Sequence, residues 1–179
     1  MGKHADGDDW IRLAVDRFEK PLTLYALRLL GNVEAARDVV QETFLRLCAQ
    51  NRSQIEPKLA EWLYTVTRNR ALDIKRKDRR MSLMTDQQQE STSSAQPPPP
   101  QLAEEKDSAG QIAKMLQLLP PNQQEVIRLK FQHGLSYKEI SSVTKLTVTN
   151  VGFLIHTGLK TIRQRLTQNE DASSMLRQS

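Results

Sequence analysis

The chain has little of what most secreted, membrane or disulfide-bonded proteins need. Its single cysteine, Cys48, cannot form an intramolecular disulfide or a cysteine metal cluster, and this usage favours a reducing cytoplasm. Cys48 stands beside Leu47 in an apolar run, which predicts a small buried side chain. No apolar run reaches the roughly 18 residues of a membrane span, and the N-terminus lacks the apolar core of a signal peptide. We therefore expect a soluble protein without membrane insertion or export.

The common constellations of catalysis are also missing. The three histidines, His4, His133 and His156, lie far apart in sequence, and none has a metal-ligand spacing. The glycine-rich loops that bind phosphate in nucleotide-dependent enzymes are absent. Acidic residues are scattered among basic ones at helical spacing, as expected for solvated helices. We expect no enzyme activity, no cofactor and no metal.

Composition and hydrophobic spacing predict an all-α fold. Aromatic residues make up 5% of the chain and hydrophobic residues 38%, which suits helical bundles built on Leu, Ile and Val. A segment rich in Ser, Gln and Pro cannot bury enough apolar surface to fold, so it separates two small helical domains as a flexible linker. The predicted boundaries are 8–80 for a four-helix domain, 81–104 for a disordered linker, 105–168 for a helix-turn-helix domain and 169–179 for a disordered tail.

The N-terminal domain is expected to contain four helices. Pro21 suits the first turn of a second helix, because a helix start needs no backbone N–H at that position. Asn32 is a favourable N-cap for the third helix. Pro57 suits the first turn of the fourth helix, which continues into a basic run. The four are predicted at 10–18, 21–30, 33–49 and from Pro57 onward.

The basic run is the strongest charge feature. Between Arg68 and Arg80 there are seven arginines and lysines and two aspartates, an excess equal to the net charge of +5 on the whole chain. Solvated helical faces usually balance the two signs of charge, and this run is strongly positive. It therefore points to an anionic partner.

Residues 134–165 have the pattern of a helix-turn-helix. Ser136 and Glu139 form a capping box, in which each side chain satisfies a backbone N–H at the helix start. Thr147 is an N-cap candidate for the second helix. The pair predicts a second helix facing the major groove of DNA, although an ordinary helical hairpin remains the alternative. The apolar stripe predicted on that second helix is Val148, Val151, Leu154 or Ile155, Leu159, Ile162 and Leu166.

Three stretches together resemble the sigma-70 family of bacterial transcription initiation factors, in particular its small extracytoplasmic-function group. Residues 38–47 are similar to the helix that binds core RNA polymerase. Residues 62–73 are similar to the helix that recognises the promoter −10 element. Residues 118–121 and 134–140 are similar to the domain that reads the −35 element.

The resemblance implies an alternative sigma factor that binds core polymerase, recognises both promoter elements and promotes DNA melting. The implied partners are promoter DNA, the clamp helices of the largest polymerase subunit and the flap of the second-largest subunit. An anti-sigma factor or another regulator is a further implied partner. The implied location is the bacterial cytoplasm, in association with the nucleoid.

The candidate site residues follow from this resemblance and from the exposed face of the helix-turn-helix. Asn69 matches a residue that holds a base flipped out of the −10 element, and its amide can both donate and accept hydrogen bonds. The candidates for core polymerase binding are Asp38, Gln41, Glu42, Leu45 and Arg46. Those for the −10 element are Trp62, Tyr64, Arg68, Asn69, Arg70, Asp73, Lys75, Arg76 and Arg79. Those for the −35 element are Ser136, Tyr137, Lys138, Thr147, Thr149, Asn150, Phe153, His156, Thr157 and Lys160.

Two departures from the family pattern affect these expectations. Relatives often carry several acids before the position of Asp38, where this chain has 35-Ala-Ala-Arg-37, so we expect weak unassisted polymerase binding that a partner or a modification strengthens. The −35 helix has no arginine or lysine before Lys160, so its contacts are expected from its N-terminus and from non-basic side chains. Phe153 suits a thymine methyl group, and Gly152 and Gly158 suit a close backbone approach.

Two other functions remain open at this point. A polymerase-independent helix-turn-helix regulator would bind DNA by itself, usually as a dimer on a palindrome. A protein-only adaptor with the same fold would show no salt-dependent DNA affinity.

Overall fold

The computed structural model describes residues 5–85 and 108–176, which divide into an N-terminal and a C-terminal unit. The described residues form helices and contain no strand, which confirms the all-α prediction. In the same residues, no helix has both the length and the apolar character needed to cross a bilayer. The elements are α1 (Ala5–Leu30), α2 (Val33–Cys48), α3 (Arg52–Ile55), a 3-10 turn (Glu56–Lys58), α4 (Leu59–Thr85), α5 (Ser108–Gln117), α6 (Pro121–Phe131), α7 (Tyr137–Thr144) and α8 (Val148–Leu176).

The core of the N-terminal unit lies between α1, α2 and α4, which all contact one another. Apolar side chains at helical spacing on each helix face this core, as amphipathic helices require. Tyr25 on α1 and Tyr64 on α4 pack edge to face, with ring centroids 5.2 Å apart. The core side chains include Trp10, Ala14, Phe18, Leu22, Ala26, Val39, Val40, Phe44, Leu47, Leu63 and Ala71.

The prediction of separate helices on either side of Pro21 is wrong, because α1 continues through it. Proline removes one backbone hydrogen bond and crowds the preceding turn, at a cost of about 3 kcal/mol in a helix interior. Burial of one continuous face offsets this cost, since Phe18 and Leu22 are both buried on either side of the proline. Asn32 caps the next helix as predicted, accepting a bond of 3.0 Å from the Ala35 N–H.

Other boundaries also differ from the predictions. The short α3 was missed, and Pro57 lies in the 3-10 turn ahead of α4. Residues 81–85 are the last turn of α4 and were wrongly assigned to the linker, since the sequence there has no glycine or proline to end the helix. The rest of the predicted linker, residues 86–104, lies outside the described part of the chain.

In the C-terminal unit, α8 contacts α5, α6 and α7. The predicted capping box is present: the Glu139 N–H donates to Ser136 Oγ at 3.3 Å, and the Ser136 N–H donates to Glu139 Oε2 at 2.7 Å. Lys145 then adopts a left-handed conformation, with φ of 62°, which reverses the chain between α7 and α8. The predicted helix-turn-helix is therefore confirmed.

The buried face of α8 consists of Val151, Ile155, Gly158 and Ile162. Of the predicted apolar stripe, Val148 and Leu159 are instead exposed at 47% and 38%, because the buried row runs through Gly158 rather than its neighbour. The helix continues to Leu176, so the prediction of a disordered tail is wrong for residues 169–176. That stretch also contains no glycine or proline to stop a helix. Residues 177–179 lie outside the described part of the chain.

Candidate polymerase and nucleic-acid interfaces

The residues assigned to polymerase binding share the outer face of α2. Asp38, Gln41 and Leu45 follow one another at helical spacing and are exposed, and the Leu45 side chain is 65% exposed. Glu42 and Arg46 lie beside them on the same helix. An exposed leucine among polar side chains is a composition that suits a helix-on-helix protein interface.

A groove of about 710 Å³ lies next to this face, between α1 and α2. Its apolar lining includes Val15, Leu24, Phe44 and Leu45. Cys48 also lines the groove and is exposed, so the prediction of a buried thiol is wrong. The helical turn places Leu47, rather than Cys48, in the core. The sequence pattern gave no indication of this groove.

Glu42 joins the outer face of α2 to α4. Its Oε1 accepts a bond of 2.6 Å from Arg46 Nη2, and its Oε2 accepts a bond of 2.6 Å from Arg70 Nε. Partial burial alone would raise the pKa of Glu42, but the hydrogen bonds and positive charges of Arg70 and Arg46 outweigh it and lower the pKa. Glu42 is therefore a charged carboxylate with both oxygens engaged.

Most of the predicted −10 residues lie on accessible parts of α4. Asn69, Lys75, Arg76 and Arg79 are exposed, and Asp73 is exposed and forms an ion pair with Arg76. The side chains of Trp62, Arg68 and Arg70 are partly buried. The exposed members give α4 a surface that combines cations with a bidentate amide.

Tyr64 is a correction to the predicted −10 residues. Its side chain is 1% exposed and packs on Tyr25 in the core. Burial raises the pKa of Tyr64 above its ordinary range, with the nearby charge of Arg28 acting in the opposite direction. A side chain buried to this extent is part of the scaffold under α4 and does not reach DNA.

The helix-turn-helix presents its candidate residues at the start of α7 and along one face of α8. Thr147 Oγ1 accepts a bond of 3.2 Å from the Asn150 N–H, which confirms the predicted N-cap. Lys138, Thr149 and Asn150 are exposed near the two helix starts. The hydroxyl of Ser136 is used in the capping box.

Farther along α8, Phe153, His156 and Lys160 are exposed, and Phe153 is 63% exposed. Thr157 is partly buried, and its hydroxyl donates to the Phe153 carbonyl at 2.6 Å. These side chains lie opposite the buried face of α8 and form a surface with one lysine and no other full charge. The exposed ring of Phe153 is available for an apolar contact from outside the helix.

The two glycines of α8 have different surroundings. A Cβ on Gly158 would lie 2.6 Å from Ile127 Cδ1 and 3.3 Å from Leu119 Cδ1. Gly158 therefore allows the close backbone approach that was predicted, and the approach is to Ile127 and Leu119 within the unit. A Cβ on Gly152 would make an ordinary contact of 3.6 Å with the Tyr137 ring.

Sequence reasoning missed two features of the C-terminal unit. Lys130 Nζ lies 5.5 Å from the centre of the Tyr137 ring, a cation–π contact that places a positive charge behind a predicted −35 residue. A groove of about 270 Å³ is lined by Ile112, Leu116, Phe131 and Leu159, among other residues. The contact and the groove both depend on how the helices pack against one another, so no local sequence pattern indicates either of them.

Comparison with known proteins assigns both units. Residues 14–81 match the family model for sigma-70 region 2, and residues 109–162 match the one for sigma-70 region 4. The chain is 27% identical over 162 residues to the ECF RNA polymerase sigma factor SigW of Bacillus subtilis, covering 85% of this chain and 86% of that protein. It is 31% identical over 132 residues to the ECF RNA polymerase sigma factor EcfG of Rhodopseudomonas palustris, covering 73% and 70%.

A solved structure has the same fold. The sigma factor RpoE of Bartonella quintana, determined in complex with the anti-sigma factor NepR, aligns with a TM-score of 0.60 and 19% identity over 90% of this chain and 97% of that one. The paired matches cover both helical units in the order that the sequence motifs predicted. The chain therefore belongs to the sigma-70 family of RNA polymerase sigma factors, in its extracytoplasmic-function group.

Proposed function

We propose that this alternative sigma factor binds core RNA polymerase through α2, captures the promoter −10 element with α4 and reads the −35 element with α7 and α8. It acts in the bacterial cytoplasm, on nucleoid DNA. The observation that carries this proposal is the placement of exposed Asn69 on the same helix as the exposed cations Lys75, Arg76 and Arg79.

Polymerase docking on α2 is supported by the exposed row of Asp38, Gln41 and Leu45. Leu45 and the groove between α1 and α2 supply apolar area, while the polar members supply orientation. This surface suits the clamp helices of the largest subunit. In the C-terminal unit, the smaller groove at Ile112 and Phe131 is an apolar surface suited to the flap of the second-largest subunit.

Capture of the −10 element requires a base to leave the stack, which costs a few kcal/mol. Asn69 offers an amide that can bond a base edge. Lys75, Arg76 and Arg79 lie farther along the same helix and would bind phosphates next to the opened step. Phosphate binding releases counterions and offsets the cost of opening.

Recognition of the −35 element would depend on α8. Its N-terminal N–H groups and helix dipole attract a phosphate near Thr147 and Thr149. Phe153 would cover a thymine methyl group, and His156 would bond a base edge. Because these contacts carry little charge, the C-terminal unit alone should bind DNA poorly.

The proposal is tested by run-off transcription with bacterial core polymerase on a library of fragments with randomised −10 and −35 elements. We expect a defined start site and the selection of one bipartite promoter. Asn69→Ala should lower transcription from that promoter by about ten-fold or more through loss of base capture. Asn51→Ala is a matched control, since Asn51 is an exposed asparagine that caps the short α3. The absence of start-site selection would contradict the proposal.

A further inference from the structure

The ion pair between Glu42 and Arg70 directly links the candidate polymerase surface to the candidate −10 surface. The two residues are 28 positions apart in sequence and bond at 2.6 Å between α4 and α2. The side chains are 34% and 41% exposed, so the bond lies at the edge of the core. Thr43 follows Glu42 on α2, and its hydroxyl forms a buried contact of 3.2 Å with the hydroxyl of Thr67 on α4.

The geometry at Glu42 argues against a simple role as a direct polymerase contact. Both carboxylate oxygens are engaged by arginines, so an approaching basic group would meet a carboxylate whose charge is already neutralised. A polymerase residue would have to displace Arg46 or Arg70 to bond Glu42 strongly. The carboxylate is therefore better suited to holding another side chain in place.

The side chain that it holds is next to the residue proposed to capture the base. Arg70 follows Asn69 on α4, and its bond to Glu42 uses Nε. A guanidinium group has further N–H donors on its two terminal nitrogens, so Arg70 can bond Glu42 and a phosphate at the same time. Holding Nε fixes the plane of the guanidinium group before DNA arrives, which lowers the entropy cost of binding.

We propose that Glu42 is a positioning residue: it holds Arg70 in the orientation that binds the promoter phosphate beside the captured base. This inference rests on the proposed function. It assigns Glu42 to the DNA-opening step, in which it acts through Arg70.

The test is a double-mutant cycle in the full chain, reconstituted with core polymerase on the promoter selected by run-off transcription. The variants are Glu42→Gln, Arg70→Gln and the double variant. The opening rate is followed by the fluorescence of 2-aminopurine placed in the −10 element, at saturating core polymerase. We expect each single variant to slow opening about five-fold and the double variant to slow it by no more than the slower single variant.

Two controls separate this role from others. Gln41→Ala combined with Lys75→Ala changes one residue on each surface without a contact between them, so their effects should multiply. Thr67→Val removes the neighbouring buried hydroxyl contact between α2 and α4 without changing charge. It should lower thermal stability yet leave the opening rate at saturating polymerase close to that of the parent, at a temperature where circular dichroism shows every variant folded.

Two results would overturn the inference. If saturating polymerase restored the parent opening rate to Glu42→Gln, the residue would be a polymerase contact only. If the effects of Glu42→Gln and Arg70→Gln multiplied to about 25-fold, the residues would act independently. In both cases the parent protein still selects a start site, so these failures differ from failure of the proposed function.

Discussion

The two helices proposed to read DNA, α4 and α8, are built in opposite ways. In α4, the segment from Arg68 to Arg80 carries seven basic residues and two acidic ones, whereas α8 has no Asp, Glu, Lys or Arg from Val148 to Leu159. A basic helix gains affinity from any phosphate backbone, but a neutral helix depends on shape, its N-terminal dipole and contacts to base edges. We therefore expect α4 to supply most of the affinity and the opening of DNA, and α8 to contribute a lightly charged form of recognition.

The inner faces of α4 and α8 also pack differently against their neighbours. The inner face of α4 includes Leu63 and Tyr64, which fill the core. The inner face of α8 approaches its neighbours through Gly158, where a side chain would crowd Ile127. The first arrangement is sensitive to the removal of volume and the second to its addition.

The largest expected effect comes from removing volume beneath α4. Tyr64→Ala should destabilise the protein by about 3–5 kcal/mol, because it empties a site against Tyr25 in the core. Tyr64→Phe keeps the ring and should cost about 1 kcal/mol, with −10 base preference unchanged. Thermal unfolding and run-off transcription on promoter variants measure the two effects. A changed base preference in Tyr64→Phe would show that Tyr64 contacts DNA, and would contradict its assignment to the inner face of α4.

The difference in charge can be tested through the salt dependence of promoter binding. The triple variant Lys75→Gln, Arg76→Gln and Arg79→Gln should weaken holoenzyme binding by about 100-fold at about 0.1 M salt. The slope of the logarithm of the binding constant against the logarithm of the salt concentration should become shallower by about 2–3. Lys160→Gln, the matched change on α8, should reduce the slope by no more than about 1. Filter binding over a salt series measures both slopes. Equal slopes for the two variants would contradict the expectation that α4 makes more phosphate contacts than α8.

Adding volume behind α8 should have a smaller effect on stability. Gly158→Leu should destabilise the protein by about 2 kcal/mol, because it forces Ile127 and Leu119 to move. Gly152→Ala is the control on the same helix, and it should stabilise by up to about 1 kcal/mol since alanine favours helix. Chemical denaturation compares the two variants. Stabilisation by Gly158→Leu would show that the close packing of α8 is not required.

The smallest expected effect is the loss of promoter binding when Phe153 on α8 is replaced. Phe153→Ala should weaken promoter binding about five-fold, through loss of an apolar contact with a thymine methyl group. Replacing the −35 thymines with uracil removes the methyl group from the DNA side. The two changes together should cost no more than either alone, as measured by competition binding of the holoenzyme. Multiplying losses would indicate that Phe153 contacts something other than that methyl group.

Local sequence signals predicted much of the fold but not the contacts between helices. Asn32, Ser136 and Glu139 were recognised because helix caps depend on residues within one turn. The same local rule failed at Pro21, where burial of a continuous helical face outweighs the proline penalty. Family resemblance named Tyr64 as a DNA contact, but a motif match does not show which way a side chain points.

The candidate surfaces were predicted less completely than the helices. The family resemblance selected Asp38, Gln41 and Leu45, and the structure places them on one exposed face of α2. The bond between Glu42 and Arg70 joins residues 28 positions apart, and no pattern in the sequence links them. The exposure of Cys48 likewise depends on how α1 and α2 pack rather than on the apolar run around it.

We expect specific promoter binding to require core polymerase, because α8 is too weakly charged to hold its element alone and α4 binds an opened −10 element. The most direct test is fluorescence anisotropy of the selected promoter fragment and of a scrambled fragment, with the full chain alone and with core polymerase. We predict no preference for the promoter in the absence of polymerase and a clear preference in its presence. Equal promoter preference without polymerase would contradict this requirement and identify a regulator that acts by itself.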